Sequence, residues 1–122
     1  MPLPTNHPFN ESIVHAHSPS VGASPVTAYA RAPFRGKVIK VGGVIYGAIT
    51  TADATVATAI NGTAIAGGSI TITQSGSAAG QVNTAIPTGA NDVNEDDTIS
   101  FPPTGASGAN VAAQFFAVIR RT

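Results

Sequence analysis

At 122 residues the chain has room for one domain, and six Lys and Arg against six Asp and Glu leave it no formal net charge. That balance excludes the cation surplus needed for sequence-independent nucleic-acid binding, and the absence of Cys excludes a disulfide framework, a thiolate zinc site and a thiol nucleophile. Apolar residues make up 43% of the chain, but many are Ala and there is no Trp, so each brings little buried area and the core is expected to be thin.

Pro2, Pro4, Pro8, Pro19 and Pro25 each remove a backbone donor and bias the preceding residue toward extended geometry. They predict an extended arm over residues 1–25 that forms neither helix nor central strand. Glu11 is its only formal charge, whereas a solvated tail is normally rich in charge. The arm is therefore expected to grip a partner surface through Phe9, Ile13, Val14 and Val21, with His15 and His17 adding polar contacts. The N-terminus lacks the basic region and apolar run of a signal peptide, and no stretch is long and apolar enough to span a bilayer. A soluble chain with no membrane partner is expected.

Residues 26–122 read as an antiparallel β-sandwich, or jelly roll, of about eight strands. Val26 to Ala32 alternates small apolar residues with Thr27, Tyr29 and Arg31, the period of a half-buried strand. Lys37 to Val41 is a second strand, broken by a bulge or bend at Gly42 and Gly43, after which Val44 to Thr50 resumes the pattern. Thr55 to Ile60 and Thr63 to Ile65 flank Asn61-Gly62, the strongest hairpin signal in the chain. Ser69 to Thr73, Gln81 to Ile86, Asp97 to Phe101 and Val111 to Arg120 complete the set. Ser75 to Gly80 and Pro102 to Ala109 read as exposed loops.

Residues able to carry chemistry are few. His7, His15 and His17 have the right side chain for a transition metal, but no Cys and no carboxylate except Glu11 accompanies them, so contacts to a partner are the plainer reading. Asp92, Asn94 and Asp96 open like an EF-hand, yet Asp97 stands where that loop needs Gly and Pro103 where it needs Glu. No nucleophile elbow or phosphate-cradling glycine pattern is present. Neither catalysis, a cofactor, a metal nor a small-molecule substrate is expected. Arg31, Arg35, Lys37 and Lys40 form a basic group and Asp92, Glu95, Asp96 and Asp97 an acidic one, which neighbouring subunits could join head to tail.

The segment Ala32-Pro33-Phe34-Arg35-Gly36-Lys37-Val38 leading into Val41, then Thr51-Ala52-Asp53 with Ala59-Ile60-Asn61-Gly62, then Val93-Asn94-Glu95-Asp96-Asp97-Thr98-Ile99 and a final apolar strand, resembles tailed-bacteriophage capsid decoration (cement) proteins of jelly-roll type. Asp96 stands where that turn usually has Gly. The resemblance implies a structural virion protein on the outer surface of a phage head, assembled in the host cytoplasm. It would cement neighbouring subunits of the major capsid protein, with the arm strapped onto a partner subunit. The resemblance also implies self-association, as a homotrimer in preference to a homodimer. The alternative is a receptor- or glycan-binding head module of a phage tail fibre or adhesin.

Overall fold

The computed structural model describes residues 10–104 and 110–122. They form ten strands and no α-helix: β1 (Glu11–Ser18), β2 (Ala28–Arg31), β3 (Gly36–Ile45), β4 (Ala54–Ile60), β5 (Thr63–Ile72), β6 (Val82–Ala85), β7 (Asp92–Val93), β8 (Thr98–Phe101), β9 (Pro103–Thr104) and β10 (Ala113–Arg121). One sheet, A, has the order β1-β10-β3-β6 with β7 also on β3, and the other, B, has β2-β8-β4-β5 with β9 also on β4. Every pairing is antiparallel. The architecture is the expected all-β sandwich of jelly-roll class.

Most connections carry the chain from one sheet to the other, which is why turn chemistry alone reveals so few of the pairings. The β4–β5 connection stays within sheet B, and there Asn61 and Gly62 both take positive φ (50° and 88°) between the paired Ile60 and Thr63. This is the hairpin expected from the sequence.

The core lies between the sheets. Val38, Val41 and Ile45 of β3 and Phe115, Ala117 and Ile119 of β10 point inward from sheet A, against Val56, Ile70, Ile72, Ile99 and Phe101 of sheet B. All are essentially inaccessible to solvent. Phe101 and Phe115 stack across the gap with ring centroids 5.3 Å apart and planes 3° from parallel. Small side chains fill the rest: Ala16, Ala28, Ala32, Ala54 and Ala113 are buried as well.

Four local expectations are corrected. The arm expected over residues 1–25 does not reach that far, because residues 11–18 contain no proline and form an eight-residue strand paired along its whole length with β10. Pro19 and Pro25 bracket a loop that stays on the sandwich: Val21 N–H donates to the Val111 carbonyl (2.8 Å), and Ser18 Oγ donates to the Val26 carbonyl (2.6 Å). Gly42 and Gly43 do not break β3 either; they are flat positions under aromatic rings, and the register shift in this pairing lies further along, between Val118 and Ile119 of β10. Residues 46–50 do not extend the strand, and Thr63 to Ile72 is one continuous strand where two separate ones were expected.

Candidate interaction face

The outward face of sheet A is assembled row by row by antiparallel register, since directly opposed residues share a face. At one end lies a charged row of Glu11, Arg120, Lys37 and Asp92. Arg120 donates to Glu11 Oε2 through both Nε (2.9 Å) and a terminal nitrogen (2.6 Å), and Lys37 Nζ lies 3.1 Å from Asp92. The next row is Ile13, Val118 and Lys40, followed by His15, Phe116, Gly42 and Thr84, and then His17, Gln114, Val44 and Val82. Tyr46 continues past β3, its ring centroid 5.8 Å from that of His17.

Phe116 sits in the middle of this face because Gly42 lets it. A Cβ on Gly42 would come within 2.5 Å of Phe116 Cζ, so the ring lies across the bare backbone. Around it Ile13 is 56% exposed, Tyr46 55% and Val82 57%. A solvent-facing sheet surface is normally polar at such positions. Sheet B follows that norm: Thr98, Ser100, Thr55, Ser69 and Thr71 lie on its outward side, with Tyr29 as the large exposed exception. The two outer faces of the sandwich therefore differ in kind. Sheet A offers an apolar centre of Ile13, Phe116, Val118 and Val44, with two imidazoles beside it and a charged row along one end.

Ile13, His15 and His17 lie on this face as exposed side chains of β1. Val14 points the other way and packs against the core, and Val21 is wholly buried within its own domain, so neither serves as a grip for a partner. Phe9 and His7 lie outside the described residues. The opposed charge groups expected to join subunits partly satisfy each other within the chain: Arg31 pairs with Asp96, and Lys37 with Asp92. Arg35, Lys40 and Glu95 make no ion pair among the described residues. Asp97 turns inward on its own loop, accepting from Asn94 N–H (2.8 Å) and Asn61 Nδ2 (3.0 Å). These hydrogen bonds, the backbone one foremost, hold its carboxyl below the usual carboxylate range.

The central residues Phe116, Val118, Val44 and Val82 were not singled out as binding residues from the sequence. One signal was present: Phe115 and Phe116 are adjacent in a strand, so only one of them can face the core.

No family model and no curated protein matches the chain. Among solved structures, a chain of the cyanophage Pam1 capsid asymmetric unit is 10% identical with a TM-score of 0.55, covering 100% of this chain and 93% of that one. The carbohydrate-binding module CBM36, solved with calcium and xylotriose, is 18% identical with a TM-score of 0.45, covering 80% of this chain and 72% of that one. The likeness to the capsid-assembly chain is one of fold, and it runs the full length of this sandwich.

Proposed function

We propose that this chain is a structural protein of a tailed-phage head, binding the outside of the capsid and cementing neighbouring major capsid subunits through the outward face of sheet A. The observation that carries the reading is that face: an apolar centre around Phe116, with a charged row along one end, on the side of a sandwich whose opposite side is hydroxyl-rich. The fold likeness to a chain of a cyanophage capsid assembly supports the same reading. Cementing is mechanical: a protein that binds the mature lattice better than its alternatives stabilises it by linkage, and many copies per particle convert modest contacts into large avidity. The strapping role expected of the arm falls on residues 1–9, and deleting these nine tests it without touching β1.

The test is decoration of heads that lack the protein, scored by cosedimentation and electron microscopy. Phe116→Glu, which puts a charge at the apolar centre while leaving the inward side of β10 unchanged, is expected to abolish decoration and retain the native circular dichroism spectrum. Undiminished decoration by a folded Phe116→Glu protein overturns the assignment of this face. Specific glycan capture on an array, with no binding to heads, would favour the tail-fibre alternative.

A further inference from the structure

β7 and β9 are two-residue strands, too short to template another, and of the four strands that end the two sheets three are guarded. β2 is four residues long between Pro25 and Pro33, and β6 is four residues long with Pro87 just beyond it. β5 has part of its edge crossed by residues 88–89: Ala66 N–H donates to the Gly89 carbonyl (3.0 Å) and Thr88 N–H to the Ala66 carbonyl (2.7 Å). β1 has Pro19 just beyond its end but nothing that guards its length. It is eight residues long, free of Pro, Gly and Lys, in unbroken register with β10, and among the described residues it pairs with β10 alone. A strand of that kind is a template for another strand.

We infer that β1 pairs with β1 of a second copy of this chain, antiparallel about a two-fold axis through Val14, so that sheet A runs continuously through a dimer. Continuity of the sheet requires residues of the same parity to oppose each other, because Ile13, His15 and His17 face out while Ala16 and Ser18 face in. Of the registers that obey this, the one centred on Val14 sets Glu11 opposite the second copy's His17, and His17 opposite its Glu11, at both ends of the contact. It also pairs Ile13 with His15 of the second copy. The acid at the start of β1 and the imidazole near its end make the strand complementary to itself when reversed, which is what a two-fold interface demands. Shifting the axis to His15 leaves Glu11 beyond the end of the partner strand and sets two imidazoles face to face. The pairing favours a dimer over the trimer that the family resemblance implies, and it stands independently of the capsid reading. In the dimer the outward faces of the two A sheets lie side by side, and the Ile13–Val118 row of each copy runs on into the His15–Phe116 row of the other.

The test is sedimentation of the full chain over a range of concentrations, with spin labels attached through single-Cys variants, since the chain has no Cys of its own. A monomer–dimer equilibrium is expected. Labels introduced by Ile13→Cys and His15→Cys should give equal short separations, each with backbones about 8 Å apart, whereas His17→Cys should place backbones about 20 Å apart. His17→Glu, which sets carboxylates opposite each other at two symmetric points, should weaken the dimer about tenfold without altering the fold. A chain that stays monomeric at the highest concentration, forms trimers, or dimerises with label separations not symmetric about position 14 overturns the inference.

Discussion

Phe115→Ala tests how the two sheets are held together. Phe115 is 0% exposed and stacks on Phe101, so the two largest fully buried side chains, one from each sheet, meet across a buried core otherwise built from Ile, Val and Ala. Truncating a buried Phe to Ala costs about 3–5 kcal/mol through lost transfer energy and the cavity left behind. The small neighbours here cannot swing in to fill the gap: on one side is Gly43, where an added Cβ would lie 2.7 Å from the Phe115 ring. The cost should therefore fall at the upper end, about 4–5 kcal/mol, including about 1 kcal/mol for the stacked pair. Against a total stability of about 5–15 kcal/mol that is a large fraction, and it corresponds to a fall of about 20 °C or more in Tm. Urea unfolding followed by circular dichroism measures it, with Phe115→Leu expected to lose about 1–2 kcal/mol as the graded control. Gly43→Ala, which overfills the same place, should also destabilise, by about 1–3 kcal/mol. A loss below about 1.5 kcal/mol for Phe115→Ala, at unchanged m-value, would refute the idea that this stack anchors the sandwich.

Two further outcomes follow from the acidic turn before β8. Asp96 has φ of 72°, the left-handed geometry for which Gly is the usual residue, so Asp96→Ala should cost about 1 kcal/mol and Asp96→Gly should recover it despite losing the exposed Arg31 pair, both read from chemical denaturation. Asp97 has its folded pKa lowered by Asn94 N–H and then Asn61, so its contribution to stability is full above the unfolded carboxylate pKa and fades as pH drops below about 4. Asp97→Asn should flatten the acid limb of the stability–pH curve, and an NMR titration of Asp97 at or above the ordinary Asp value would contradict this account. Phe116→Glu on capsid decoration and His17→Glu on self-association probe the outer face and the edge of sheet A separately.

Sequence alone determined the features that depend on near neighbours. Period-2 alternation located β2, β4, β8 and β10, and Asn-Gly located the hairpin, because both signals lie within a few residues of the structure they specify. The motif comparison marked Asp96 as standing in a glycine's place, and its backbone adopts the glycine-like φ. The fate of residues 11–18 was set by long-range pairing instead. Their outward side carries Ile13 and two histidines and their inward side Val14, Ala16 and Ser18, a pattern with no apolar and polar contrast to read locally. What makes them a strand is β10, from the other end of the chain, whose backbone groups they satisfy. The glycines of β3 were legible as special positions, yet whether they mark a bulge or a bed for a ring depends on Phe115 and Phe116 arriving from β10. The apolar outer face has the same origin: no segment contains it, and it exists because register aligns Ile13, Phe116, Val44 and Val82 from four distant strands on one side of one sheet.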